Sequence, residues 1–275
     1  MSNNDAGTRV QSPAYRDYLS RLRWEKRLVH VWQFLIVGGF ILLWEIAPRS
    51  GWVEPMLTSY PSAIAATFRS LFFDHNLLAH TGATALSTAI GFVGSMAIGI
   101  VVAVTLWLSN FLYKVVDPFI VVLNALPKIA LVPIYYIWLG PLTSIYAMAI
   151  TVSVFITIIM LYTGFRGIDP DKIKLARLFG ASKWQVLTKI ILPGSVPTMI
   201  SVLKVNIGLS LVGVVVGEFQ SAKIGLGHLI IYGSQIFQMN LVMVAIVILG
   251  ILSIILFWAV QLLERYINRR RGVAS

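Results

Sequence analysis

Cysteine is absent from this chain of 275 residues, so neither a disulfide framework nor a thiolate metal site is open to it. Charged residues are scarce, at 12%. No G-x4-G-K-[ST] phosphate loop occurs, so the chain does not hold ATP in that way. His30, His75, His80 and His228 are scattered, with no HExxH run and no paired-carboxylate cluster, which leaves metalloprotease and redox readings without residues. Internal repeats, low-complexity stretches and a soluble domain are not evident.

Apolar surface is what the chain has. It is 57% hydrophobic with a mean hydropathy of +0.81. A soluble domain of this length cannot bury so much apolar surface, so the composition predicts an all-α polytopic membrane protein. A net charge of +11 would suggest nucleic acid in a soluble protein. Here the basic residues flank apolar runs, so they read as topology signals and no nucleic-acid partner is expected.

Six runs approach the roughly 20 residues that cross a bilayer. They are Val29–Ala47, Thr84–Leu108, Val115–Leu139, Ile145–Phe165, Val196–Glu218 and Leu241–Leu263. Glu45-Ile46-Ala47-Pro48 makes a poor signal-peptidase site, so the first run reads as a retained span. The chain divides into an N-terminal segment (1–28), a transmembrane domain (29–265) with a polar loop at 169–193, and a basic tail (266–275). Arg9, Arg16, Arg21, Arg23, Lys26 and Arg27 precede the first run, and Arg265, Arg269, Arg270 and Arg271 follow the last. The 169–193 loop and its approach add Arg166, Lys172, Lys174, Arg177, Lys183 and Lys189, whereas the opposite side holds Arg49, Arg69 and Lys223. This bias predicts that both termini and the loop are cytoplasmic.

Tyr15, Tyr18, Leu19 and Leu22 share one helical face, which fits either an interfacial amphipathic helix or a plain basic flank. Ile64, Phe68, Leu71 and Phe72 repeat at helical spacing after Pro61 and predict an amphipathic helix on the outer surface. Gly91-x3-Ser95-x3-Gly99 and Gly213-x3-Gly217 predict close helix packing, within a subunit or across a dimer.

The polar loop has strong local signals. Asp169-Pro170 starts a helix, because Asp accepts from free N–H groups and Pro fits the first turn. Gly180 suits the left-handed residue that ends it. Ser182-Lys183-Trp184-Gln185 fits a capping box for a second helix, which Pro193 is expected to stop. A helix–Gly–helix corner exposed to the cytoplasm suits insertion into a groove of another protein; a topology anchor is the plainer alternative.

Pro127 and Pro133 interrupt the third run, where each removes a backbone hydrogen bond, so the helix should kink or break. Irregular backbone at bilayer depth is tolerated where it is buried in protein or faces a cavity, so this run reads as path-lining or as a kinked packing helix. Lys128, Lys204 and Glu218 are ionisable groups in or near spans. Lys128 either attracts an anion, snorkels to an interface or pairs with a carboxylate; Glu218 reads more as structural than as path-lining.

The stretch Lys174 to Pro193, with Gly180, nine residues, and Ile190-x-Leu192-Pro193, resembles the "EAA loop" of ABC-importer permeases. The similarity extends from about residue 80 to 271 and is closest to the nitrate/sulfonate/taurine branch. Its pieces are Asp117-Pro118, Leu126-Pro127, Ile137-Trp138-Leu139-Gly140, Gly180-Ala181-Ser182-Lys183-Trp184-Gln185, Gly217-Glu218-Phe219, Gly225-Leu226-Gly227 and Leu262-Leu263-Glu264-Arg265. The family Glu and first Ala are Lys174 and Leu175 here, and an Arg-Pro-x-Pro-Pro pattern of the branch appears as Asn124-Ala125-Leu126-Pro127-Lys128.

The resemblance implies a type I ABC-importer permease core of about six spans in a bacterial inner membrane. It implies a non-catalytic subunit without a cofactor or metal of its own, ATP and Mg belonging to partner ATPase subunits. An extracytoplasmic substrate-binding protein and a second permease copy are the other implied partners. Ala176, Phe179, Gly180, Ala181, Ser182, Trp184, Ile190, Leu192 and Pro193 would meet the ATPase, and Asn124, Pro127, Lys128, Pro133 and Glu218 would line the path of a small solute, an anion such as a sulfonate, taurine or nitrate. An ion-gradient transporter is the alternative. It is opposed by the elaborate loop and by the lack of matched broken-helix halves.

Overall fold

A computed structural model describes residues 13–74 and 77–270. Those residues form helices and connecting turns, with no strand among them. In chain order the helices are α1 (Pro13–Arg49), α2 (Pro55–Thr58), α3 (Pro61–Asp74), α4 (Leu77–Leu108), α5 (Asn110–Ala125), α6 (Val132–Leu139) and α7 (Pro141–Arg166). There follow α8 (Pro170–Leu178), α9 (Lys183–Val186), α10 (Leu192–Gly194), α11 (Val196–Ser221), α12 (Leu226–Gln235) and α13 (Met239–Arg270). Five are long and apolar enough to span a membrane, six if the bent pair α5 and Lys128–Leu139 counts as one.

The chain divides into two units, 1–63 and 64–275. In the first, α1 carries apolar side chains such as Phe34, Ile36 and Leu42 that are exposed, as expected where lipid is the solvent. The turn after α1 is closed by polar groups: Arg49 pairs with Glu45 at 2.7 Å, and the Ser62 N–H and hydroxyl donate to the same carboxylate at 3.0 and 2.8 Å. The side chains of Tyr15, Tyr18, Leu19 and Leu22, residues 1–12 and the tail beyond Arg270 lie outside the described residues, and with them the amphipathic face expected there.

The second unit is built on α4, α7 and α11. Small residues let these helices meet backbone to backbone. A Cβ on Gly91 would strike that of Ala149, one on Gly99 would strike Thr157, and one on Gly213 would stand 2.6 Å from the Ala149 Cα. The small-residue motifs thus pack inside one subunit, through contact of the kind that holds helices together in lipid. A buried polar seam runs through the same contact. Asn206 donates to Thr157 Oγ1 at 2.6 Å and accepts from Ser95 at 3.0 Å and Ser210 at 3.1 Å, tying all three helices.

The third apolar run is broken rather than kinked. Helix α5 ends at Ala125, Leu126 is extended (φ −62°, ψ 138°), and the chain restarts through a 3-10 turn at Lys128–Leu131. The two halves are bent by 90°. Pro127 cannot donate and forces its predecessor out of the helical region. Pro133 disturbs nothing, because it occupies the first turn of α6, where its missing N–H is not needed. The α6 half is braced on α7 by a 2.8 Å Tyr135–Thr151 hydrogen bond.

The expected helix after Pro61 is present as α3; Leu71 joins a buried cluster with Leu77, Leu226, Leu229 and Leu241, while Phe68 and Phe72 are exposed. Helix α12 is a feature that the apolar runs did not reveal: at 10 residues it is too short to span.

Candidate functional site

The 169–193 loop is built by its own sequence. The Asp169 side chain accepts from the Asp171 N–H at 2.9 Å and caps α8. At the other end Gly180 takes φ +82°, its N–H donates to the Arg177 carbonyl at 2.9 Å, and the Ala181 N–H reaches the Ala176 carbonyl at 3.0 Å. That pair of bonds is a Schellman motif, which satisfies the last carbonyls of α8. The Ser182–Gln185 capping box is complete: the Gln185 N–H donates to Ser182 Oγ at 3.2 Å, and the Ser182 N–H donates to Gln185 Oε1 at 2.8 Å.

The expectation that Pro193 stops the second helix is corrected. The chain continues from α9 through a π-helical turn, Leu187–Ile191, into α10, where Pro193 lies in the first turn. The wider turn gives the proline a place without a severed ladder, so helical backbone continues to the foot of α11.

The loop has a fixed rear and an open front. Val186, Leu187 and Ile191 are buried with Leu161, Phe165 and Val202, on α7 and α11. Leu178 and Phe179 are each 84% exposed and Trp184 is 60% exposed. Gly180, Ser182 and Pro193 are also exposed, while Ala176, Ala181, Ile190 and Leu192 are half-buried. Ala176, Phe179, Ile190 and Pro193 share a cavity of about 810 Å³ with Leu175, so these predicted residues converge on one hollow, which Asp169, Lys172 and Lys189 also line. Lys174, where the motif has Glu, pairs with Asp171 at 3.0 Å on the exposed side of α8.

The predicted path residues separate into two places. Asn124, Pro127, Lys128 and Pro133 gather at the 90° break. Lys128 Nζ donates to the Asn124 carbonyl at 2.7 Å and lies 3.5 Å from Asn124 Oδ1, so the ammonium caps the end of α5, where the helix dipole favours positive charge. Glu218 lies elsewhere, at the end of α11, and is buried. It accepts from Thr84 Oγ1 at 2.9 Å and from the Gly227 N–H at 2.7 Å, and Thr84 in turn accepts from the Leu226 N–H at 2.8 Å. His80 Nδ1 takes the Gly225 N–H at 3.0 Å. A single carboxylate thus pins the start of α12 against α4 and α11.

Thr84 and His80 gave no sequence signal, because lone polar residues in apolar runs do not show which backbone they will meet. Lys204 finds its partner in Glu264 at 2.7 Å, joining α11 to α13. That carboxylate was visible in Leu262-Leu263-Glu264-Arg265 without any sign of its partner.

The geometry is thus one of apolar helices packed through glycine, a broken helix and an exposed helix–Gly–helix loop. Residues 95–272 match the family described as binding-protein-dependent transport system inner membrane component. The chain belongs to that family. It is 29% identical to a probable ABC transporter permease protein of Haemophilus influenzae, over 85% of this chain and 95% of that protein. Identity is 25% with a putative aliphatic sulfonates transport permease protein of Bacillus subtilis, over 86% of this chain and 87% of the other. Relatives named for nitrate import, in Synechocystis, and riboflavin transport, in Chloroflexus aurantiacus, align over 86% and 95% of this chain. A structure of the MetNI methionine ABC transporter in an inward-facing conformation superposes with a TM-score of 0.62 at 20% identity, over 72% of this chain and 96% of that one. The fold is therefore the type I permease fold. The chain is the permease subunit of an ABC importer, in the nitrate/sulfonate/taurine branch, and a membrane protein.

Proposed function

We propose that this permease forms, as a homodimer, the path by which a small anion enters the cell. Two ATPase subunits, which hold ATP and Mg, dock on the 169–193 loops, and an extracytoplasmic binding protein delivers the solute on the opposite face. The chain itself carries no cofactor and catalyses no reaction. Both termini are cytoplasmic, a reading supported by the clustering of Lys and Arg at the ends and in the loop.

The observation that carries the proposal is the loop's contrast between a buried root and an exposed apolar tip. Val186, Leu187 and Ile191 fix it to α7 and α11, so a push on Phe179 or Trp184 is delivered to the spans rather than absorbed. Ala176, Phe179, Gly180, Ala181, Ser182, Trp184, Ile190, Leu192 and Pro193 form the docking element. ATP binding favours one permease state only to the extent that the ATPase pair holds the loop differently in the two states. Asn124, Pro127, Lys128 and Pro133 line the path at the break, where the Lys128 charge favours an anion; Glu218 shapes its wall by fixing α12.

The test is uptake by cells or proteoliposomes that carry the whole importer. Gly180→Pro, or Phe179→Asp, is expected to abolish uptake while the chain still inserts. Normal uptake with normal ATPase retention would refute the docking role. Lys128→Gln is expected to weaken anion uptake, and unchanged kinetics would remove Lys128 from the path.

A further inference from the structure

We propose that a cavity at the base of the loop is a binding site for the phosphate headgroup of an anionic membrane phospholipid. The cavity, about 320 Å³, is walled by the end of α4, the start of α5, the end of α7 and both helices of the loop corner. Arg166, Arg177 and Lys183 line it, and no acidic residue does. None of the three has a carboxylate partner among the described residues; Arg166 Nη1 reaches only the Tyr162 hydroxyl, at 3.3 Å. The neighbouring carboxylates are engaged, Asp171 with Lys174 and Asp169 with the α8 N-terminus. Three uncompensated cations around one cavity fit a multiply oxygenated anion, and the two guanidinium groups offer paired N–H donors suited to phosphate.

The site's depth selects the source of that phosphate. Trp107 lies in the last turn of α4, at the end of an apolar helix long enough to span, and an amphipathic ring there suits the membrane surface. Basic pockets between spans at this level hold lipid headgroups. A second cleft of about 180 Å³ shares Leu106 and Tyr162 with the first and continues one to two turns deeper between α5 and α7, past Ile120, Val121, Ile158 and Ile159. Leu106, Ile120, Val121, Ile158 and Ile159 give it an apolar side that suits an acyl chain. Asp117, against the Tyr113 hydroxyl, and Thr163 are polar groups that also line this deeper cleft. A soluble phosphate would match the cations but leave the cleft unused. A lipid held here touches α4, α5, α7 and both sides of the Gly180 corner, and so braces the loop against its root.

Native mass spectrometry of the full-length permease, purified with whatever subunits accompany it, tests this with phosphatidylglycerol and phosphatidylcholine in the same detergent. Wild type should retain phosphatidylglycerol preferentially, and each of Arg166→Gln and Arg177→Gln should reduce that preference by roughly fivefold. Arg166→Lys, which keeps the charge, should retain most of the preference. Lys223→Gln, outside the cavity, should leave it unchanged. If the arginine variants fail to fold, Lys183→Gln at an exposed position supplies the same comparison. Equal retention of both lipids by wild type, a preference that survives loss of the cavity cations, or displacement of phosphatidylglycerol by millimolar inorganic phosphate would each overturn the proposal.

Discussion

Glu218 and Gly227 are fitted to each other: the carboxylate accepts the Gly227 N–H at 2.7 Å, and a Cβ on Gly227 would stand 2.8 Å from the Glu218 Cβ. Gly225 is under the same constraint, because its φ is +132° and a Cβ there would collide with the carboxyl group. The sequence pieces Gly217-Glu218-Phe219 and Gly225-Leu226-Gly227 are thus two halves of one clamp. Gly227→Ala and Gly225→Ala are each expected to lower stability by about 1–3 kcal/mol, by forcing the carboxylate from its donors. Glu218→Gln, which keeps an acceptor, should cost less than Glu218→Leu. Thermal unfolding of the purified protein, followed by tryptophan fluorescence, measures the difference.

Asn206 joins three helices through Ser95, Thr157 and Ser210. Interhelical hydrogen bonds in membranes average about 0.6 kcal/mol. Asn206→Ala removes two of them, to Ser95 and Thr157, together with the bond to Ser210 within α11, and is expected to destabilise the chain by about 1–2 kcal/mol. Ser210→Ala, which removes a 3.1 Å bond to Asn206 and a 3.3 Å contact to Ser153, should cost less. The same unfolding measurement ranks the pair.

Lys204 and Glu264 form an ion pair, with side chains 33% and 22% exposed, across α11 and α13. Neutralising either leaves the other without its partner near the membrane, at an expected cost of about 1–3 kcal/mol. The exchange Lys204→Glu with Glu264→Lys should recover much of that loss. Double-mutant analysis of unfolding checks it.

Gly180 has open space around its Cα, so a substitution there meets strain from φ +82° rather than a clash. Gly180→Ala is expected to cost about 1–2 kcal/mol, and Gly180→Asn less, because Asn tolerates the left-handed region. Uptake should fall in the same order, Gly, Asn, Ala, measured at equal membrane abundance.

Local signals were legible in the sequence. The Asp169 cap, the Gly180 corner and the Ser182–Gln185 box need only neighbours a few residues away, and all three are present in the fold. The apolar runs likewise placed the spans, since each reports a transfer preference of its own segment. Pro193 was misread because a proline signals an interrupted ladder, and only the neighbouring turn decides whether a π bulge absorbs it. Pro127 left kink and break undecided for the same reason, and the extended Leu126 before it settles the outcome as a break. Long-range pairs were illegible: Thr84 meets Glu218 across 134 positions. Helix α12 was hidden because 10 residues bounded by Gly225 carry too little periodicity to distinguish from a loop.

The most direct measurement is affinity purification of the tagged chain from its native membrane, in gentle detergent, with quantitation of any ATPase subunit that accompanies it. Because the chain has no cysteine, a single cysteine at Leu178 can then map the contact by crosslinking. An importer permease whose loop is the docking element should bring an ATPase, crosslink to it through position 178, and lose it in Gly180→Pro. A stable complex with no ATPase, or one that keeps its ATPase when the loop is broken, would contradict the assignment of 169–193 as the coupling element.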